Sequence, residues 1–176
     1  ISKSKENDTL ADEASPEAIA RAVADHGCRS VAFTYNDPTI FLEYANDVAD
    51  ACHDLGLRTV AVTAGYINPE PRADFYAHLD AANVDLKGFT DDFYYKICGG
   101  RLQPVLDTLV YLVKETAVWT EITTLLIPGK NDSDEELAEA REIAAGIGVP
   151  IEWVVTHTPG ASQRYLPGSE ALAALV

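Results

Sequence analysis

The chain has 176 residues, 47% of them apolar, and its 28 acidic side chains outnumber 13 basic ones, giving a formal net charge of -15 at pH 7. This length suits one domain with a full core, and the acidic surface would repel nucleic acid, so we expect no nucleic-acid partner. No segment approaches the ~18 apolar residues of a membrane-spanning helix, and the polar start has no signal-peptide pattern, which predicts a cytoplasmic protein without a membrane partner.

The first half of the chain predicts helices that alternate with apolar strands. Ser15-Pro16-Glu17 begins a helix, because serine caps helices and proline favours the first helical position, and Gly27 ends it. The segments that follow are a strand at 30–35, a helix at 38–55, a strand at 59–64 and a short helix at 71–79.

The second half continues the alternation. Strands are predicted at 82–87, 118–126 and 150–156, with helices at 103–116 and from Asp132 or Ser133 to about residue 145. Near-continuously apolar strands that alternate with helices predict an α/β fold with a parallel sheet. No linker is visible, so we expect a single domain over 1–176. A doubly wound open sheet and a partial (β/α) barrel both fit, and both bind ligands at the carboxyl ends of their strands.

Polar residues follow every predicted strand, in the stretches TYNDP, VTAGY, NVDLKGF, LLIPGKND and VVTHTPG. Each alone is explained by a helix cap or a turn, but the five together predict a ligand site. Asp85 and Lys87 alternate onto one side of their strand, either as a structural ion pair or as ligand contacts. Glu121 and Thr123 form a second such pair. We expect Asp37, Asp85 and Lys87 to share one cavity.

The three cysteines, Cys28, Cys52 and Cys98, are too far apart in sequence for a CxxC-type metal site. Cys28 and Cys52 adjoin apolar segments and are predicted in the core, whereas Cys98 precedes two glycines and is expected near the ligand face. We therefore predict no metal ligand in this chain.

Four stretches together resemble the radical SAM enzymes of the AmmeMemoRadiSam system, which are related to the pyruvate formate-lyase activating enzymes. They are AFTYNDPTIFLEYANDVA, VTAGY, AANVDLKGFTDDFYYKICGGRLQPVLDTL and EITTLLIPGKNDSDEEL, and the similarity covers roughly residues 1–155. The resemblance implies a partial (β/α) barrel that binds S-adenosylmethionine. It also implies a [4Fe–4S] cluster, reduced by a ferredoxin or flavodoxin, that generates a 5′-deoxyadenosyl radical for hydrogen abstraction from an unknown substrate.

The resemblance also assigns roles to residues. Asn36 and Asp37 would receive the amino group of S-adenosylmethionine, Lys87 its ribose or carboxylate, and the IPGKND stretch the adenine side. Relatives carry glutamate at the position of Asp37 and an amide at that of Ala64. The full set of expected cofactor-binding residues is Tyr35, Asn36, Asp37, Thr63, Gly65, Asp85, Lys87, Glu121, Pro128, Gly129 and His157.

The cluster motif of the family, CxxxCxxC, is missing from this sequence. In the family it precedes the stretch matching ISKSK, so we expect the ligands and the first barrel strand upstream, with this chain inactive by itself. Two alternatives stay open: a Schiff-base lyase or aldolase that uses Lys87, and a non-catalytic remnant that binds a nucleoside or a partner protein.

Overall fold

The computed structural model describes residues 14–148 and the backbone of residues 151–155. Five parallel strands form one sheet in the order of the chain. They are β1 Ser30–Phe33, β2 Arg58–Thr63, β3 Ala81–Asp85, β4 Trp119–Leu126 and β5 Ile151–Val155. Because each strand pairs with the next in sequence, without the reversal of a doubly wound sheet, the arrangement is that of a partial (β/α) barrel, as predicted.

Helices follow the strands as expected. They are α1 Pro16–Asp25, α2 Leu42–Asp54, α3 Pro69–Ala77, α4 Asp91–Phe93, α5 Gln103–Glu115 and α6 Asp134–Ile147. Ser15 caps α1 by accepting from the Ala18 amide, and Ser133 forms a reciprocal capping box with Glu136 at the start of α6. None of the described helices is long and apolar enough to cross a bilayer.

Two helical segments differ from the prediction. The expected helix over 38–55 is divided into a 3₁₀ turn at Pro38–Phe41 and then α2. The segment after β3 continues α4 into a π-helical turn at Tyr94–Cys98, which no periodicity in the sequence indicates. In the first segment the Ile40 amide donates to the Asp37 carbonyl three residues earlier, and in the second the Gly99 and Gly100 amides both donate to the Tyr94 carbonyl.

The two faces of the sheet have different environments. One face is buried under the helices and includes Ala61, Val84 and Ile122, which are fully buried. The other face is half-exposed and aligns Asn83 with Glu121 and Asp85 with Thr123 in the register of β3 and β4. The polar pairs of the sequence therefore lie on the open inner face of the partial barrel.

Strand β1 forms one edge of the described sheet. We expect residues 1–14 or a partner chain to cover this edge, and residues 1–13 lie outside the described part of the structure. At the boundary, the Tyr44 hydroxyl of α2 donates to the Ala14 carbonyl at 2.8 Å.

Candidate functional site

The turn after β1 contains an unusual backbone conformation. Tyr35 and Asn36 both adopt the left-handed region, with φ of 52° and 65°. Such residues cost on the order of 1–3 kcal/mol each and cluster at functional sites. Both side chains are exposed at the carboxyl edge of the sheet, where Asn36 presents its amide.

Asp37 joins the turn after β1 to the end of β2. Its Oδ1 accepts from the Thr39 amide at 3.2 Å and from the Thr63 hydroxyl at 2.7 Å, and its Oδ2 accepts from the Ala64 amide at 2.7 Å. A carboxylate has about four lone-pair positions, so three of them already serve the chain itself. Asp37 therefore fixes the geometry of this edge.

The stretch TAG at the end of β2 is shaped by close packing. The Gly65 amide donates to the Thr63 hydroxyl at 3.1 Å, and Gly65 has φ of +65°. A Cβ at this position would lie 2.8 Å from Cγ1 of Val84. Glycine is required here by the approach of the turn to β3.

Lys87 is held in place through its backbone. Its ammonium forms a half-buried ion pair with Asp85. Its amide donates to the Tyr94 hydroxyl at 3.0 Å, and its carbonyl accepts from Nδ2 of Asn131 at 2.8 Å. Two side chains from different loops thus orient Lys87 at the end of β3.

Asn131 is a site residue that the sequence analysis did not single out. It is fully buried, and besides Lys87 it contacts the Leu125 carbonyl through Nδ2 at 3.0 Å and the Ile127 amide through Oδ1 at 2.7 Å. These three bonds fasten the β4–α6 turn to the end of β3. An asparagine in a Pro-Gly turn that follows a buried strand was the available signal.

Other predicted site residues lie along β4 and after it. Glu121 is half-buried and accepts from Nδ2 of Asn83 and from Nε1 of Trp119, both at 3.4 Å. Pro128 and Gly129 are exposed in the β4–α6 turn, where Gly129 has φ of +71°. His157 lies outside the described residues.

A cavity of about 410 Å³, the mouth cavity, opens at the carboxyl ends of β2 and β3. Its lining residues are Ala64, Tyr66, Lys87, Tyr94, Cys98, Gly99, Gly100 and Val105. Of the three residues expected to share one cavity, Asp37, Asp85 and Lys87, Lys87 lines the mouth cavity, and a cavity common to all three stays a prediction. The Asp37 carboxylate accepts from the Thr39 and Ala64 amides and the Thr63 hydroxyl, and the Asp85 carboxylate pairs with the Lys87 ammonium.

Two polar groups of this cavity stay neutral at pH 7. Burial raises the pKa of the Tyr94 hydroxyl; the hydrogen bond from the Lys87 amide opposes this, and the charges of Cys98 and Asp85 add to it. Burial also raises the pKa of the Cys98 thiol, against the opposing effect of the Lys87 ammonium. Tyr94 and Cys98 therefore face the cavity as a hydroxyl and a thiol.

The cysteines occupy three separate places. Cys98 ends the π-helical turn at the carboxyl end of the sheet, and Cys52 is buried in α2. Cys28 is exposed, so its expected place in the core is wrong; it lies in the loop that separates α1 from the amino end of β1. Within residues 14–148, no three side chains of histidine, cysteine, aspartate or glutamate converge to hold a metal ion.

Comparison with known proteins identifies the family. The sequence profile of the Radical SAM superfamily matches residues 2–140. An uncharacterized protein of Methanocaldococcus jannaschii, MJ0808, is 36% identical over 125 residues, which are 71% of this chain and 36% of that protein. The chain belongs to the radical SAM superfamily, and it spans about a third of the length of this relative.

Solved structures share the fold. Streptococcus suis SuiB bound to S-adenosylmethionine has a TM-score of 0.66 at 17% identity, over 82% of this chain and 33% of SuiB. A domain of a pyruvate-formate lyase-activating enzyme from Bacteroides vulgatus has a TM-score of 0.51 at 13% identity, over 71% of this chain and 98% of the domain. These likenesses support the partial barrel.

Proposed function

We propose that this chain is the S-adenosylmethionine-binding barrel of a radical SAM enzyme of the AmmeMemoRadiSam type, related to the pyruvate formate-lyase activating enzymes. The observation that carries the proposal is the construction of the carboxyl edge. There, a strained Tyr35–Asn36 turn, a carboxylate that joins two strand ends and an oriented Lys87 occur together, on the edge where such barrels bind ligands.

The residues at the carboxyl edge of the sheet have two roles: some contact the cofactor, and others hold those residues in position. Asn36 offers an exposed amide oxygen to the ammonium group of S-adenosylmethionine, and Asp37 retains about one lone pair for it while it holds Thr63 and Ala64. Lys87 donates to the carboxylate or the ribose. Asp85 holds the direction of the Lys87 ammonium through their ion pair.

Further contacts come from β4 and the turns beyond the inner face. Glu121 lies on the inner face near Asn83 and suits the hydroxyls of the ribose. Tyr35, Pro128 and Gly129 frame the adenine side, and we extend this assignment to His157 from the sequence alone. Thr63 and Gly65 act as supports that shape the edge.

The described residues do not supply a ligand set for an iron–sulfur cluster. We propose that a CxxxCxxC segment outside this chain holds a [4Fe–4S] cluster and that a ferredoxin or flavodoxin reduces it. When bound, the reduced cluster would supply one electron for the cleavage of S-adenosylmethionine, and the 5′-deoxyadenosyl radical expected of the family would abstract hydrogen from the substrate. The described residues bind and orient the cofactor for it.

The ion pair argues against the aldolase alternative. A Schiff-base lysine must be neutral to attack a carbonyl. The Lys87 nitrogen is instead engaged in an ion pair with Asp85. No feature of the described residues favours that alternative.

The test uses the full-length protein after anaerobic reconstitution with iron and sulfide. We expect it to bind S-adenosylmethionine and, with dithionite, to form 5′-deoxyadenosine and methionine. Lys87→Met should weaken binding about tenfold, the loss of one charge-assisted contact. Lys96→Met is the matched control, because Lys96 pairs with Asp92 in the same loop, and it should bind normally.

Three outcomes would decide between the alternatives. A cluster-loaded protein that does not bind S-adenosylmethionine overturns the proposal. Binding without cleavage favours the non-catalytic remnant. Assembly of a stoichiometric cluster by the 176-residue chain alone would show that its own cysteines are the ligands and refute the upstream motif.

A further inference from the structure

The lining of the mouth cavity combines apolar walls with a few polar side chains. Its apolar walls are formed by Ala64, Val105 and the Tyr66 ring, and the backbone of Gly99 and Gly100 completes the lining. Gly100 approaches Tyr66 so closely that a Cβ would lie 3.2 Å from the ring. The cavity is therefore a slot beside an aromatic face, large enough for a small ligand.

Three polar side chains of the lining, those of Lys87, Tyr94 and Cys98, can each donate a hydrogen bond into the cavity. The Tyr94 oxygen already accepts from the Lys87 amide, which leaves its proton to donate. Cys98 offers a thiol, and Lys87 an ammonium. The neighbouring carboxylates, Asp37 and Asp85, are bonded to groups of the chain and are not in the lining.

We propose that the mouth cavity binds the apolar part of the substrate together with a carbonyl or carboxylate oxygen that receives the donors of Tyr94 and Cys98. Among the described residues no carboxylate lines the mouth cavity and the Lys87 ammonium does, so like-charge repulsion should exclude a cation. As a statement about the substrate, the inference rests on the proposed function. The donor pattern and the shape of the slot are independent of it.

Three probes of equal size test the donor pattern. We expect 3-phenylpropionate and 3-phenylpropionamide to bind the wild-type protein weakly, in the millimolar range, by saturation-transfer NMR and titration, since fragments of ~11 heavy atoms gain little free energy. 3-Phenylpropylamine should not bind. Preference for the acid over the amide would assign the oxygen as a carboxylate, and equal binding would assign it as a carbonyl.

Two substitutions in the lining test whether the probes bind in the mouth cavity. Ala64→Phe fills the slot and should weaken both oxygen-bearing probes at least tenfold, and Cys98→Phe, from the opposite and exposed wall, should do the same if Ala64→Phe does not fold. The matched control is Ala77→Phe, which fills a depression of about 650 Å³ at the amino end of the sheet. This variant should bind the probes normally.

The results separate this inference from the proposed function, because S-adenosylmethionine binding is measured on the same preparations. Absent or cation-preferring probe binding, or binding insensitive to both filling variants, overturns the inference even where S-adenosylmethionine binds. Probe binding as expected with no S-adenosylmethionine binding overturns the proposed function and leaves the donor-lined slot established.

Discussion

The two ends of the sheet use charged side chains differently. At the amino end, Asp80 accepts from Arg58, from the Thr59 amide at 2.9 Å and from His53 at 3.0 Å, so its carboxylate is fully engaged. At the carboxyl end, Asp85 is the one charged partner of Lys87 among the described residues, and the Asn36 side chain is exposed.

The comparison teaches which charges serve the fold and which are available to a ligand. A side chain saturated by its own chain stabilises the native state, and one that retains hydrogen-bonding capacity on a strained backbone is a candidate for binding. We therefore expect substitutions at the amino end to lower stability alone. Substitutions at the carboxyl end should lower affinity, with Asn131 as the exception.

The largest effect should come from Asn131→Ala, a substitution at the carboxyl end that we expect to lower both stability and affinity. It removes the hydrogen bonds of the buried Asn131 side chain to the Ile127 amide and to the Lys87 and Leu125 carbonyls, and we expect a loss of about 3 kcal/mol in the free energy of unfolding. Urea titration measures it. S-adenosylmethionine affinity should fall as well, because Lys87 loses its orientation.

The matched control for that variant is Asn68→Ala. Asn68 precedes α3 and makes no capping bond with its side chain, so its loss should change stability by less than ~0.5 kcal/mol. Equal effects of the two substitutions would refute the role given to Asn131.

The next largest effect is a loss of stability at low pH, which comes from Asp80 at the amino end of the sheet. Burial raises the pKa of Asp80, but hydrogen bonds from the Thr59 amide, Arg58 and His53 outweigh it and lower the pKa from 3.8 to about 2. A carboxyl group whose pKa is lower in the folded state stabilises the folded state fully at a pH above its unfolded-state pKa. It loses this contribution as the pH falls through its folded-state pKa, here about 2. We expect about 2 kcal/mol to be lost from Asp80 between pH 5 and pH 1.

Stability against pH in the wild type and in Asp80→Asn measures this contribution. The difference between the two curves should shrink below pH 4, since protonated aspartate resembles asparagine. A difference that stays constant down to pH 2 would contradict the assignment. S-adenosylmethionine affinity at pH 7 should be equal in both proteins.

The smallest effect concerns the backbone strain at Tyr35, in the turn after β1 at the carboxyl end of the sheet. Tyr35 is 79% exposed, so substitutions there remove little packing. Tyr35→Val should be about 1–2 kcal/mol less stable than Tyr35→Gly, because a β-branched residue tolerates left-handed φ poorly. Thermal unfolding compares them, and equal stability would mean that the turn relaxes and stores no strain.

The local sequence pattern was sufficient for the fold class. Alternating apolar strands and capped helices predicted the parallel sheet, and the elements fall within a few residues of their predicted positions. The barrel choice needed the strand order, which depends on long-range pairing that local periodicity does not encode. Strand β1 ends two residues early because Tyr35 and Asn36 turn left-handed, a conformation that asparagine favours and tyrosine does not.

The position of the candidate site at the strand ends could be predicted from the sequence, but most of its side-chain contacts could not. Alternation placed Asp85 and Lys87 together, as the structure does. The bonding of Asp37 and Asn131 could not be predicted, because each joins segments 26 to 44 residues apart in the chain. The binding roles of the predicted site residues remain predictions.

The π-helical turn at Tyr94–Cys98 has a consequence for insertions and deletions. Both the Gly99 and the Gly100 amides reach back to the Tyr94 carbonyl, so the turn accommodates one residue more than an α-helix would. Removing a single residue would restore α-helical spacing and rotate the residues between this turn and the start of α5 by about 100° about the helix axis. Cys98 and the two glycines would then leave the mouth cavity, so homologues that differ by one codon here should accept differently shaped ligands while the barrel beneath stays the same.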